Sequence, residues 1–250
     1  MQDLVLIPGL NNTAAVFDDV VRLLPSHVKA HALDLAPLDE VEAIADAVLA
    51  QLPAQFWLCG FSFGAYVGLA ILERAPHRVL GFALVCSSPA ADSYAQLMAR
   101  RAAFQNAQGG HYIELVAAQA SHAFHPQSLK DHALMDRRMA MVTEYGAQRF
   151  VAHQRAAMAR SDRRKVLDGT RPTLVVAGEM DPLFTPSALR ELAQTIPDCR
   201  FEVVEAAAHL VPMEQPARLA TMLAGWIDGQ TTTPTGKPIF EARPTHSKAY

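Results

Sequence analysis

The chain has 250 residues, with 22 Lys plus Arg against 25 Asp plus Glu, a formal net charge of -3, and half of its residues are hydrophobic. That length suits one large domain, or one domain carrying an insertion, and the faint negative balance gives no general attraction for nucleic acid or an anionic membrane surface. Three cysteines, Cys59, Cys86 and Cys199, are odd in number and far apart, which argues against a disulfide framework or a zinc site and for buried thiols in a reducing compartment.

The first residues, Met1 to Pro8, have no basic leader and only a short apolar run, and no later run approaches the ~18 apolar residues of a membrane span. A soluble, cytoplasmic protein without membrane or nucleic-acid partners is expected. Leu4 to Ile7 reads as a parallel strand buried on both faces and ended by Pro8-Gly9. Asn11, Asn12 and Thr13 offer N-caps for a helix through Leu24, and Val28 to Leu33 is the next strand. A helix follows from about Glu40 to Leu52, then a strand from Gln55 to Cys59 and a helix from Phe63 to Ala75. Val79 to Cys86 is a strongly apolar strand. From about Ala90 to Asp168 the periodicity is helical, with breaks at Gly109-Gly110 and near His125-Pro126, and no strand signal. Strand and helix then alternate again: Thr173 to Ala177, Pro186 to Thr195, Arg200 to Val204 and Pro216 to Trp226. Such alternation winds right-handedly into a parallel sheet. Past about Gly229 the chain turns polar, and residues 229–250 are expected to be a disordered or surface-laid tail.

Between a predicted strand and a predicted helix stands Gly60-Phe61-Ser62-Phe63-Gly64. A serine in so tight a turn has a strained backbone and an outward-facing hydroxyl, and the flanking glycines leave room for the neighbouring strand and helix. Asp181 follows a later strand and His209 follows the last one, giving the order nucleophile, acid, base. On these residues the chain resembles the α/β-hydrolase superfamily over residues 1 to about 228.

The resemblance implies an α/β fold with a mostly parallel sheet flanked by helices, and with an α-helical cap inserted after the strand ending near Cys86. The core would be residues 1–89 and 169–228, and the cap residues 90–168. Two strands that many relatives carry ahead of the first have no room here, so a trimmed core is expected. Ser62 would be the nucleophile, His209 the base, and Asp181 the acid, with Glu179 its rival in the same turn; Gly178 and Asp181 match the family's acid pattern. The backbone N–H groups of Leu10 and Phe63 would form the oxyanion hole.

Candidate pocket residues are Phe61, Met135, Met139, Met158 and Leu210. The cap's methionines equally suit internal packing, because Met fills irregular cores. The cap holds 11 Lys plus Arg and 7 Asp plus Glu, hence +4, which leaves -7 for the remainder of a chain of net -3. Solvated helix faces explain such an excess; an anionic substrate, with Arg155, Arg160, Arg163 and Arg164 as its ligands, is the other reading. His122 and His125 have helical metal-ligand spacing, but no carboxylate or cysteine completes a set nearby. The expected activity is cofactor-independent cleavage of a small or medium carboxylic ester, thioester or lactone through an acyl-enzyme on Ser62. Phe61 stands where diketone hydrolases usually have Asn. Two alternatives stay open: a lyase or cofactor-free oxygenase using His209–Asp181 as a proton-abstracting base, and a ligand-binding receptor-like module. The cap is expected to govern which substrates enter rather than how the bond breaks.

Overall fold

A computed structural model of the chain describes residues 1–169 and 171–231. Six strands, β1 (Gln2–Ile7), β2 (Val28–Ala32), β3 (Phe56–Phe61), β4 (Val79–Val85), β5 (Thr173–Gly178) and β6 (Cys199–Val204), form an all-parallel sheet in the order β2-β1-β3-β4-β5-β6. The helices are α1 (Asp18–Leu23), α2 (Val41–Leu49), α3 (Phe63–Arg74), α4 (Tyr94–Gln108), α5 (Tyr112–Ala118), α6 (Ala120–Ala123), α7 (His132–Ala159), α8 (Pro186–Gln194), α9 (Val211–Glu214) and α10 (Pro216–Thr231).

The central strands are uninterrupted apolar runs because helices cover both faces. Val5, Ile7, Leu58, Phe82 and Val175 pack toward α2, α3 and α8, and Leu4, Leu6, Cys59, Val85 and Val176 toward α1 and α10. Trp57 of β3 meets Trp226 of α10 edge to face, with ring centroids 4.9 Å apart. Gly81 on β4 leaves space for them, since a Cβ there would lie 2.5 Å from the Trp57 ring.

All of α4 to α7 lies between β4 and β5, as the cap, and this region has its own small core of Tyr112, Val116, Val142, Tyr145 and Phe150. A capping box of Ser93 and Gln96 starts α4. Its end at Gln108, and that of α6 at Ala123, fall at the two breaks read from the sequence. A third interruption was not read: inside α7, Gly146 has φ 77° and ψ 156°, outside the helical region. It lies in a run of good helix formers, where a lone glycine looks tolerated.

Three further details differ from expectation. Thr13 makes no side-chain cap bond, and a short 3-10 turn at Ala14–Phe17 precedes α1. Strand β3 runs on to Phe61. Helix α10 continues through Gly229 to Thr231, and the rest of the expected polar tail, 232–250, lies outside the described residues. Among the described residues no helix is long and apolar enough to cross a membrane.

The charge imbalance resolves at the seam between cap and core. Arg163 bonds Glu42 of α2 and, at 3.0 Å, Glu73 of α3. Arg137 meets Asp19 at 2.9 Å, and Arg149 and Arg155 lie 4.0 and 3.9 Å from Asp34 and Asp39. Within the cap, Arg160 and Arg100 close on the buried Asp92 at 2.7 and 2.6 Å, and Arg164 pairs with Asp162 at 2.6 Å. Each arginine read as a ligand for an anionic substrate thus already faces a carboxylate.

Candidate active site

A parallel sheet delivers all its C-terminal turns to one edge, where open α/β sheets bind ligands. With β3 between β1 and β4, and β5 beside β6, the turns bearing Leu10, Ser62, Cys86, Asp181 and His209 become neighbours. Ser62 sits at φ 52°, ψ -118°, a region costly for any residue with a Cβ. Contacts around it enforce that backbone: a Cβ on Gly60 would lie 2.4 Å from the Ala65 Cα, and one on Gly64 would lie 2.1 Å from the Ile7 carbonyl oxygen. The buried Ser87 hydroxyl donates to the Ser62 carbonyl at 2.8 Å.

His209 Nε2 lies 3.0 Å from Ser62 Oγ, and its Nδ1 lies 2.8 Å from Asp181 Oδ2. An ionised carboxylate only accepts, so Nδ1 carries the ring proton and Nε2 is the acceptor facing the serine hydroxyl. Asp181 is buried, and its Oδ1 accepts the N–H groups of Leu183 (2.8 Å) and Phe184 (3.2 Å). Burial pushes this carboxyl up, but attraction to His209 and the three hydrogen bonds outweigh it and hold the pKa below the ordinary value. The His209 ring lies between Phe61 and Phe184, at centroid distances of 5.3 and 5.9 Å. Its loop approaches the acid turn so closely that a Cβ on Gly178 would sit 1.8 Å from the Ala208 carbonyl oxygen.

The rival acid, Glu179, points elsewhere and accepts the Ala206 N–H at 2.9 Å. Another carboxylate, which sequence reasoning passed over, braces the histidine loop: Glu214 accepts the Ala208 N–H at 2.8 Å and the cap's His125 N–H at 2.7 Å. The N–H groups of His209 and Leu210 both donate to the carbonyl of Ala123 in the cap, at 3.0 and 3.1 Å. The cap therefore holds the backbone of the histidine itself.

Opposite Ser62, the turn after β1 comes close enough that a Cβ on Gly9 would lie 3.0 Å from the Ser62 Cβ. Neither the Leu10 N–H nor the Phe63 N–H is engaged by another group among the described residues. Phe63 follows Ser62 directly, and Leu10 stands one residue beyond the close approach at Gly9.

The candidate pocket residues divide. Phe61 and Leu210 are buried with the sheet face beneath the triad, and Met135 packs against the same cluster. Met139 instead packs into the cap's own core, and Met158 is half-buried outside these clusters. A groove of about 250 Å³ runs along the cap–core seam past Val16, Arg137, Met141 and Met213, away from Ser62. Among the described residues one group of potential metal ligands is close-set, Cys86, Asp181 and His209, within 4.8 Å of one another. Burial and then the neighbouring Asp181 push the Cys86 thiol well up, and the histidine Nδ1 is committed to the acid, so this set does not suit a cation. His122 and His125 do not converge: one lies 3.3 Å from the Ser121 hydroxyl, and the other accepts the Gln127 N–H at 3.2 Å.

Known proteins agree with this architecture. Over 96% of its length the chain is 26% identical to a pimeloyl-[acyl-carrier protein] methyl ester esterase of Neisseria meningitidis serogroup A, covering 81% of that protein. It is 27% identical to the Aeromonas hydrophila protein of that name, covering 90% of this chain and 95% of the other. Among solved structures, a thermophilic esterase from Thermogutta terrifontis superposes with a TM-score of 0.85 at 22% identity, covering 92% of this chain and 90% of that one. An enol-lactonase from Burkholderia xenovorans superposes with a TM-score of 0.82 at 20% identity, covering 91% of each. A family model described as alpha/beta hydrolase fold matches residues 4–216, and with the parallel sheet, the serine turn and the inserted helices it establishes that the chain belongs to the α/β-hydrolase family.

Proposed function

We propose that the protein is a serine hydrolase that cleaves a carboxylic ester through an acyl-enzyme on Ser62. The observation that carries this reading is the unbroken chain from Ser62 through His209 to Asp181, at 3.0 and 2.8 Å, with unengaged backbone N–H groups on Leu10 and Phe63 in the adjoining turns. A serine hydroxyl is a weak nucleophile until a neutral imidazole takes its proton. As Ser62 Oγ bonds to the ester carbon, its proton passes to His209 Nε2, and the carbonyl oxygen becomes an oxyanion held by the N–H groups of Leu10 and Phe63. Asp181 stabilises the resulting imidazolium and keeps its orientation. When the tetrahedral adduct collapses, the carbon–oxygen bond to the leaving group breaks, and His209 returns the proton to the departing alkoxide. Water, deprotonated by the same imidazole, then attacks the acyl carbon; as that adduct collapses the bond to Ser62 Oγ breaks, His209 returns the proton to this oxygen, and the acid leaves.

No part of this sequence asks for a cofactor. The relatives' names make a methyl ester of an acyl chain borne on a carrier protein the first substrate to try, with short free esters and lactones beside it. Thioesters use the same chemistry. Proton abstraction from bound substrate by the His209–Asp181 pair, with Ser62 only hydrogen-bonding, is the competing use of these side chains.

The test is a burst of alcohol from an activated short-chain ester, with stoichiometric labelling of Ser62 by an organophosphonate. Ser62→Ala is expected to lower kcat by at least ~10³-fold and abolish the burst, with His209→Ala similarly severe and Asp181→Asn still substantial. A Ser62→Ala enzyme that keeps more than about a tenth of its rate while His209→Ala is dead would move the assignment to proton abstraction.

A further inference from the structure

Arg138 is a buried charge that no ion pair among the described residues explains. It projects from α7 of the cap and is buried, 7% exposed. Its Nη1 donates at 2.6 Å to the Asn11 carbonyl and at 2.6 Å to Asn12 Oδ1. Among the described residues no carboxylate stands within ion-pair distance, and the titratable groups felt by the guanidinium are Tyr112 and Tyr145. Burial pulls its pKa down to about 10, so it stays charged at neutral pH. A buried cation without a counter-ion is expensive to keep, and an apolar side chain of similar volume is often no less stable in such a place. Stability therefore does not explain it, and its partners do.

Both acceptors belong to the turn that follows Leu10. Asn11 has φ 62°, in the left-handed region that asparagine tolerates, and the clamps from the cap select that conformation. Tyr112 of α5 supplies a second clamp, its hydroxyl donating to Asn11 Oδ1 at 3.1 Å. The amide of Asn12, oriented by Arg138 on its oxygen, donates through Nδ2 to the Leu10 carbonyl at 2.7 Å. The same helix reaches the other donor residue too: His153 of α7 stacks on the Phe63 ring at 4.9 Å and 21°, fixed by Tyr145 at 2.5 Å and by the Ala36 carbonyl at 2.8 Å.

We infer that Arg138, with Tyr112 beside it, is a positioning residue for the oxyanion turn: from the cap, these two side chains set the direction of the Leu10 N–H and keep a positive charge behind it. This rests on the serine-hydrolase reading. Negative charge appears on the carbonyl oxygen only as the tetrahedral adduct forms, so a fixed donor backed by a buried cation favours the transition state over bound ester. The cap then takes part in bond breaking as well as in substrate entry.

The experiment uses the full chain and an activated acetate ester, with kcat and KM measured separately. A trifluoromethyl ketone that adds to Ser62 probes the tetrahedral state, and the corresponding methyl ketone probes ground-state binding. Arg138→Met should lower kcat by ~30-fold or more, leave KM within ~3-fold, and weaken the trifluoromethyl ketone in parallel while the methyl ketone binds as before. Arg138→Lys should recover part of the loss, and Tyr112→Phe should lose about 5-fold in kcat with KM unchanged. A folded Arg138→Met with native kcat overturns the inference, as does a rise in KM alone, which would make Arg138 a substrate ligand. If Arg138→Met does not fold, Arg138→Lys and Tyr112→Phe decide by the same split between kcat and KM. Wild-type protein that neither turns over ester nor takes a phosphonate on Ser62 sinks the hydrolase reading and this inference with it; equal labelling rates in wild type and Arg138→Met sink the positioning role alone.

Discussion

At Ser62 the core fixes geometry by excluded volume, whereas at Asn11 the cap fixes it by hydrogen bonds. The serine turn is shaped by backbone against backbone: the Gly64 Cα lies so near the Ile7 carbonyl that no side chain fits, and Gly60 meets Ala65 in the same way. The β1 turn is instead held from the cap by Arg138 and Tyr112, and the histidine loop by the Ala123 carbonyl and the bond from His125 to Glu214. Steric shape is set by a few local residues. Side-chain clamps need partners more than a hundred positions away, so they depend on the cap being docked.

The sharpest way to break this contrast is to add one methyl group. Gly64→Ala would put a Cβ 2.1 Å from a backbone oxygen; it is expected to cost more than about 4 kcal/mol or to prevent folding. Urea melts check this. A variant within about 1 kcal/mol of wild type would mean that the elbow yields where the structure says it cannot.

A smaller effect tests the cap side. Burial of His153 holds its pKa at about 4, below the ordinary 6.5. Because the folded pKa is depressed, the unfolded chain takes the proton first. Stability from this site is complete above about pH 6.5, falls as pH drops toward 4, and levels off below that, a loss of roughly 3 kcal/mol. Asp181, also depressed in the fold, contributes stability that is present above the ordinary carboxylate pKa and lost as pH falls through its folded value, in a more acid window. His153→Gln should therefore flatten the stability curve between pH 6.5 and 4 while sparing the steeper decline below. Unchanged curvature in that interval would show that His153 is not the group responsible.

Least drastic is Gly146→Ala in α7. Nothing lies within 4 Å of where its Cβ would be, but φ 77° with ψ 156° is a backbone region kept almost to glycine, so the cost is backbone strain alone, about 2 kcal/mol. If thermal melting shows stabilisation instead, α7 prefers to be straight, and the interruption is imposed by docking.

This contrast also explains what the sequence made legible. The triad could be read because each member stands in a short local pattern at the end of an apolar strand, and the strand order brings those ends together. Thr13 takes the N-cap position without a side-chain bond, and Asn11 and Asn12 serve the turn instead, because these residues suit caps and left-handed turns alike and the deciding partners, Tyr112 and Arg138, are remote in sequence. The charge excess of the cap was visible, but not its destination, since the core carboxylates it meets lie on α1, α2, α3 and the loops beside them and others lie within the cap. Ser87, Glu214 and Phe184 carry no local signature. A serine, a glutamate and a phenylalanine each become part of the site only when the neighbouring strand or loop arrives.

The pairing of Trp57 with Trp226 makes the core its own optical reporter. These are the two tryptophans of the chain, and the indoles meet at 75° with centroids 4.9 Å apart, close enough for their excited states to couple. Their emission and their coupled dichroism band both follow the docking of α10 on the sheet, and the cap contains neither indole. Light absorbed at 295 nm thus reports on the core, and loss of hydrogen-exchange protection within α4, α5 or α7 that precedes it marks opening of the cap alone.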